Sequence, residues 1–119
     1  MKLLRKLFGK GRKQSEPADE QAVIVHFRYG SADLSRLFDL EDRLEREISS
    51  ARAGEYDGHE IAVDGSDGYL YMYGPDADKL CAAVRHVLEA CDFTRGAEVR
   101  LRYGPPEPGV RESTFVVPG

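Results

Sequence analysis

The order of two hydrophobic periodicities constrains the fold of this chain more than any single motif does. Apolar and polar residues alternate in the segments AVIVHFRY, HEIAV, YLYMY and AEVRLRY, which is typical of half-buried strands. Residues 34–51 and 76–91 instead carry apolar residues three and four positions apart, which predicts two amphipathic helices. The predicted order is therefore strand, helix, strand, strand, helix, strand, and the segment RESTFVV adds a last strand.

This order predicts an α+β fold, specifically a ferredoxin-like βαββαβ sandwich with an additional C-terminal edge strand. We expect both helices to cover one face of the sheet. The expected strand order is 4-1-3-2, with the last strand beside strand 4. The other face of the sheet is then left without a covering helix.

The sequence between the second and third strands predicts a hairpin. If Asp64 pairs with Tyr69, residues 65–68 form a four-residue loop of turn-favouring residues. That register places Val63 beside Leu70 on the sheet face that meets the helices.

The ends of the two predicted helices carry recognisable signals. Gly54 is the expected C-terminal glycine of the first helix. Asp76 is the expected N-cap of the second, and Asp78 adds negative charge to its first turn. Cys81 and Cys91 lie ten residues apart on that helix, about 15 Å along its axis and beyond disulfide reach, so both are predicted to be reduced thiols.

A length of 119 residues, of which 41% are hydrophobic and 32% charged, fits one folded domain, which we place at residues 22–119. Residues 1–21 are predicted to be a basic, disordered tail and linker, because residues 14–21 are polar, aperiodic and interrupted by Pro17. No apolar run approaches the roughly 20 residues that span a bilayer, and no signal peptide is evident, so the predicted location is the cytoplasm.

The net charge of −4 conceals a strong asymmetry along the chain. The first 13 residues hold six Lys or Arg and no acid, which leaves 11 basic and 21 acidic residues, a charge of −10, in the remainder. We consider three interpretations of this tail. Peripheral contact with the inner membrane face and a disordered solubilising leader are weighted equally, and an arm that binds nucleic acid is the third. The tail residues proposed for membrane contact are Lys2, Leu3, Leu4, Arg5, Lys6, Leu7, Phe8, Lys10, Arg12 and Lys13.

The most distinctive predicted surface is the sheet face that no helix covers. Protein contact, with a partner or a second copy, is the favoured interpretation, because Tyr and Arg are enriched at interfaces. A solvated surface is the second interpretation, and RNA binding is the third, because the body is acidic and lacks the RNP consensus. The residues predicted to line this exposed face are His26, Arg28, Tyr69, Tyr71, Tyr73, Arg100 and Arg102.

Asp57, His59 and Glu60 are the residues that most resemble catalytic groups. A His–carboxylate pair can perform acid–base chemistry, so a small hydrolase-like enzyme that uses Asp57 and His59 is an alternative. Neighbours on a regular strand point to opposite faces, however, so His59 is expected to face the helices and Glu60 to face outward. We therefore predict no catalytic residue, and the histidine, cysteine and acid spacing predicts no metal site and no cofactor.

Three segments, GEYDGHEI, YLYMYGPDADKL and GAEVRLRYGPP, resemble those of a group of small uncharacterised bacterial proteins. The shared features are the DGHE, YGPDAD and LRYGPP-like stretches, and the resemblance covers residues 22–104 without the basic tail. It implies a bacterial cytosolic origin and the same domain plan. It carries over no activity and no functional residue.

The function predicted from the sequence is that of a non-catalytic protein-interaction module of the bacterial cytosol. Its contact surface is the exposed Tyr/Arg sheet face, and its partner is another protein or a second copy of the chain. The alternatives are a membrane-surface adaptor that uses the tail, a hydrolase-like enzyme that uses Asp57 and His59, and an RNA-binding sheet.

Overall fold

The computed structural model describes residues 20–119. The predictions for the basic tail fall on residues 1–19 and lie outside the described residues. Gln21 already belongs to the first strand, one residue before the predicted start of the domain at residue 22.

Within residues 20–119, two α-helices lie on one side of a five-stranded sheet. The strands stand in the order β2-β3-β1-β4-β5, and each neighbouring pair is antiparallel. The predicted α+β class is therefore confirmed. In chain order the elements are β1 (Gln21–Arg28), α1 (Ser35–Ala51), β2 (Glu55–Ile61), β3 (Asp67–Gly74), α2 (Ala77–Ala90), a 3-10 turn (Asp92–Thr94), β4 (Glu98–Arg102) and β5 (Glu112–Val116).

The hydrophobic core lies between the helices and the inner face of the sheet. Every second residue of β1 points into it, and Val23, Val25 and Phe27 are buried there. The predicted helix stripes also reach the core, with four buried residues on α1 and six on α2. Full burial of each large apolar side chain stabilises the fold by about 1.5–3 kcal/mol.

The helix ends follow the sequence signals in one case and depart from them in the other. Asp76 caps α2 as expected, because its side chain accepts a hydrogen bond from the backbone N–H of Lys79 at 3.1 Å. At the end of α1, the left-handed position is taken by Arg52, with a φ of 53°, rather than by Gly54. Gly54 is needed for another reason: its φ is 144°, and a β-carbon there would lie 2.1 Å from the carbonyl oxygen of Tyr73.

The predicted register of the β2–β3 hairpin is wrong by four residues. Tyr69 lies opposite Glu60 instead of Asp64, and Val63 is fully exposed in the connecting loop instead of packing beside Leu70. The loop is longer because it pairs with the end of β1, where its carbonyl groups accept hydrogen bonds from the backbone N–H groups of residues 29–31. A shift of four is even, so each side chain that remains in β2 keeps its predicted face.

We predict that Gly54→Ala destabilises the domain far more than Gly30→Ala. Both glycines have positive φ, but a β-carbon at Gly30 meets nothing within 4 Å. The conformational strain at Gly30 should cost about 1–2 kcal/mol, whereas the added clash at Gly54 should bring its cost to about 3 kcal/mol or more. Urea unfolding of the two variants measures the difference, and equal costs would contradict the close approach of Gly54 to β3.

We also predict that the two thiols react at very different rates. Cys81 is buried, and this burial raises the pKa of its thiol, whereas Cys91 is partly exposed. Titration of the native chain with a thiol reagent at pH 8 should show one fast reaction and one that requires unfolding. Cys91→Ser should remove the fast reaction, and a fast reaction that persists in this variant would show that Cys81 is accessible.

Candidate functional site

The outer face of the sheet, opposite the helices, presents side chains in rows that cross the central strands. Because the strand pairs are in register, these rows align. β3 contributes tyrosines to them, β1 contributes Ala22, Ile24 and His26, and β4 contributes mainly arginines. We call this surface the outer face. Its successive rows are Tyr73–Ala22–Arg102, Tyr71–Ile24–Arg100 and Tyr69–His26–Glu98.

Three of the residues predicted to be exposed on this face are buried. Tyr71 is 8% exposed, Tyr73 5% and Arg102 8%. The two tyrosines form a second hydrophobic cluster with Ala22, against which Ile24 packs. This cluster includes no residue of either helix.

Specific hydrogen bonds hold the polar ends of two of these buried residues, Tyr71 and Arg102. The hydroxyl of Tyr71 donates to a carboxylate oxygen of Glu60 at 2.7 Å, across the β2–β3 pair. Arg102 donates from Nε to the carbonyl oxygen of Gly104 at 2.7 Å. The prediction that these three side chains are open to solvent is therefore corrected: all three are buried, and Tyr71 and Arg102 are also hydrogen-bonded, although all three lie on the predicted face.

Solvent reaches the other four predicted residues, which we call the exposed corner: His26, Arg28, Tyr69 and Arg100. The ring of His26 stacks on Tyr69, with centroids 4.4 Å apart and planes 12° apart, and its Nε2 lies 2.7 Å from a carboxylate oxygen of Asp67. Arg28 and Arg100 are both exposed. An open cleft of about 570 Å³ adjoins this corner and carries both signs of charge, from Arg28, Arg95, Asp67 and Glu98.

A separate polar cluster lies on the inner side of β2 against α1. Glu41 of α1 accepts a hydrogen bond from the hydroxyl of Tyr56, and the same oxygen lies 2.8 Å from Nδ1 of His59. The ring of Phe38 lies next to His59, with centroids 6.2 Å apart. His59 thus faces the helices, as its strand position predicts, but it pairs with Glu41 rather than with Asp57.

A β-bulge explains how Tyr56 and His59 reach the same carboxylate. Residues three apart on a regular strand point to opposite faces. Here the register shifts between Tyr56 and Gly58, so Asp57 is an extra residue in β2 and the alternation is reset. Asp57 lines an open groove of about 350 Å³ together with Phe38, Glu41, Asp42, Glu45, Tyr56 and Gly58.

Glu41 and Tyr56 are polar partners that the sequence interpretation missed. Glu41 lies between Leu37 and Leu44 in the apolar stripe of α1, at spacings of four and three. A carboxylate within such a stripe is a signal that it has a specific partner on the sheet. Tyr56 carried no comparable signal, because its orientation depends on the bulge.

The acids of the β2–β3 loop have local structural roles. Hydrogen bonds from Ser66, from its hydroxyl and its backbone N–H, lower the pKa of Asp64. Asp67 pairs with His26. Within residues 20–119, no group of three or more His, Cys, Asp or Glu side chains is placed to hold a metal ion.

No helix in the described part of the chain is long and apolar enough to cross a membrane. Comparison of the sequence with protein-family models and with curated proteins, and of the structure with solved structures, gives no significant match. The resemblance to small bacterial proteins therefore stays a prediction.

We predict that Glu41→Ala destabilises the domain by about 1–3 kcal/mol, because it removes the acceptor shared by Tyr56 and His59. Glu45, one turn further along α1, is exposed, and Glu45→Ala should change the stability by no more than about 0.5 kcal/mol. Chemical denaturation measures both variants. If the Glu41→Ala and Glu45→Ala variants were equally stable, the cluster around Glu41 would contribute nothing to the attachment of β2 to α1.

Proposed function

We propose that this chain is a non-catalytic protein-interaction module of the bacterial cytosol. We further propose that its outer face binds a protein segment rich in cationic and apolar side chains. The fold we assign to it is ferredoxin-like, with β5 as an additional edge strand. The strand order supports this assignment, since from the opposite edge it runs β5-β4-β1-β3-β2.

The observation that carries the proposal is the arrangement of the outer face by strand. A row of three tyrosines runs along β3, flanked by Glu55 and Glu60 of β2 on one side and by β1 on the other. Aromatic side chains supply large apolar contact areas and still tolerate water at their hydroxyl ends. Tyr71 and Tyr73 are almost fully buried, so Tyr69 is the tyrosine of this row that offers contact area. Such a surface suits a partner whose apolar side chains lie on Tyr69 while its cations meet the acids of β2.

The charge of the described body supports a cationic partner. Residues 20–119 contain 11 Lys or Arg and 19 Asp or Glu, a formal charge of −8. The β2 side is particularly acidic, since the open groove between the second half of α1 and the start of β2 is lined by Asp42, Glu45, Glu47 and Glu55, among others. Complementary charge accelerates association and disfavours wrong partners, even where each exposed ion pair contributes little affinity.

The exposed corner supplies a second contact region with a different character. Tyr69 is 37% exposed, and Arg28 and Arg100 stand within reach of the same partner. Tyr and Arg are over-represented among the residues that dominate binding energy at interfaces. The arginines can pair with acidic groups of the partner, which would give the contact a defined orientation.

The half-buried polar cluster around Glu41 does not favour catalysis. Both Tyr56 and His59 are directed to Glu41, so the groups that could perform acid–base chemistry are engaged with one another. RNA binding is disfavoured by the acids of β2 next to the tyrosines, because they repel phosphate. A second copy of the chain would bring the same negative charge, and it is less suited to this face than a cationic segment.

The proposal predicts that the full chain binds a synthetic peptide of alternating Lys and Leu through the outer face. The double variant Glu55→Lys/Glu60→Lys should bind this peptide roughly tenfold or more weakly, since it replaces two attractive charge pairs with repulsive ones. Isothermal titration calorimetry at low salt measures the affinity.

The matched control is Asp39→Lys/Glu89→Lys, which makes the same charge change on exposed positions of the two helices. It should leave the affinity nearly unchanged. Equal weakening in both double variants would mean that only net charge matters, and the proposed face would be wrong. Light scattering on the unliganded chain shows whether a dimer already occupies the face.

A further inference from the structure

We infer that two copies of this chain pair antiparallel through the outer edge of β5, with a two-fold axis at Thr114. The two five-stranded sheets then form one continuous sheet of ten strands. This contact lies at a strand edge and leaves the outer face open. The inference therefore goes beyond the proposed function and concerns a different surface.

The edge at β5 lacks the features that protect sheet edges from pairing with another strand. Bulges, prolines and charged side chains are the usual protections. The opposite edge, β2, has the bulge at Asp57 and the glutamates Glu55 and Glu60. In contrast, β5 pairs with β4 without a register shift, contains one charged residue and no proline, and exposes 62% of Val116. Within residues 20–119, only β4 pairs with β5, so the other edge of β5 carries no described strand.

The hydrogen bonds between β4 and β5 fix the register of such a pair. The backbone N–H of Tyr103 donates to the carbonyl oxygen of Arg111 at 2.9 Å. At the other end of β5, the N–H of Val117 donates to the carbonyl oxygen of Ala97, also at 2.9 Å. Because bonded and non-bonded pairs alternate along an antiparallel ladder, the even-numbered residues of β5 direct their N–H and C=O groups away from β4. A two-fold axis at Thr114 pairs all three even-numbered residues with those of the second copy.

The same register places an aromatic ring beside a groove. Ser113 then stands opposite Phe115 of the second copy, in a non-bonded pair whose side chains approach closely. Ser113 lines a groove of about 270 Å³ between α2 and β5, and the lining of this groove includes Ala82 and Leu101. Each copy therefore offers a groove and supplies the ring that enters the groove of the other. This self-complementarity is what a two-fold interface requires.

Opposite charges also meet across the axis. Asp78 lies at the Ser113 end of the groove, since the hydroxyl of Tyr103 donates to Asp78 at 2.7 Å and lies 3.2 Å from the hydroxyl of Ser113. Arg85 lies at the other end, with its guanidinium 4.4 Å from the ring centroid of Phe115. Because Phe115 of the second copy lies opposite Ser113, the arginine that covers it comes to the end that holds Asp78. The two-fold axis repeats this ion pair.

The β4–β5 region is neutral where the rest of the body is acidic. Residues 20–119 have a formal charge of −8, which opposes the approach of two copies through most of their surface. The outer side chains of β4 and β5 are instead two acids and two arginines: Glu98, Glu112, Arg100 and Arg102. Pairing at this edge therefore avoids the repulsion between the acidic surfaces.

The dimer would place the two outer faces side by side. Paired residues of an antiparallel ladder share a face, so the two-fold axis is perpendicular to the sheet. Helices α1 and α2 of both copies lie on one side, and both outer faces lie on the other. A partner with two cationic and apolar segments could then bind both faces at once, with the second segment at a high effective concentration.

Sedimentation analysis of the full chain over a concentration series tests the inference. We expect a reversible dimer whose dissociation constant rises roughly tenfold or more in Thr114→Pro, because proline removes the central N–H of the pairing edge. This N–H is directed away from β4, so the substitution leaves the β4–β5 ladder intact, and circular dichroism verifies the fold.

The matched control is Thr114→Val, which keeps the N–H and should dimerise as the unmodified chain does. A chain that stays monomeric throughout the series, or a dimer that Thr114→Pro leaves unchanged, would overturn the inference. A dimer that only Glu55→Lys/Glu60→Lys disrupts would assign the contact to the outer face and would overturn it as well.

A disulfide tests the register, with Thr114→Cys in the Cys91→Ser background. The α-carbons of residue 114 in the two copies would lie about 5.5 Å apart, within disulfide range, so mild oxidation should link the chains. Val116→Cys is the control, because the two copies of residue 116 lie about 13 Å apart along the strands. Equal linking of the two variants would overturn the proposed register.

A charge exchange tests the ion pair. Arg85→Asp should weaken the dimer, because it sets two acids against each other, and Asp78→Arg/Arg85→Asp should restore it. A double variant no stronger than the single variant would show that the two side chains do not meet, against the proposed arrangement. The proposed function is tested separately: a monomeric chain that binds the Lys–Leu peptide through Glu55 and Glu60 would overturn the dimer and leave that function intact.

Discussion

The antiparallel pairing of β1 with β3 on one side and β4 on the other is the constraint on which the rest of the structure depends. β1 pairs with β3 over eight residues and with β4 over five. Once this register is set, alternation sends Val23, Val25 and Phe27 to the core and the residues between them to the outer face. The same pairing aligns the tyrosines of β3 and the arginines of β4 on either side of β1.

The edge strand β2 depends on a second, local constraint. The bulge at Asp57 turns both Tyr56 and His59 toward Glu41, which links the edge of the sheet to α1. Without the extra residue, one of these side chains would point to the outer face. The bulge therefore separates a polar cluster that supports the fold from the acids and tyrosines that we assign to binding.

The sequence was sufficient for the features that depend on periodicity and on local capping. The spacing of Leu37, Leu44 and Ile48 predicted α1, and Asp76 predicted the start of α2, because neither depends on distant residues. The inward orientation of His59 was likewise predictable from strand parity.

Features that depend on contact with another strand could not be predicted from the local sequence. The hairpin register was missed because the loop is held by the end of β1, and this contact outweighs the apparent pairing of Val63 with Leu70. The bulge at Asp57 was missed for the same reason, since an extra residue is defined only relative to β3. Alternation placed Tyr71 and Tyr73 on the correct face, but it carries no information about what buries them.

The central claim is that the outer face, with its tyrosines between acidic and basic strands, is the surface through which this chain meets other polypeptides. A residue-by-residue map of amide chemical shifts, recorded while the Lys–Leu peptide is added to the full chain, tests it most directly. We expect the largest changes in β2 and β3, around Glu55, Glu60 and Tyr69, and in the exposed corner. Changes centred on the outer surfaces of α1 and α2, with the outer face unaffected, would contradict the account.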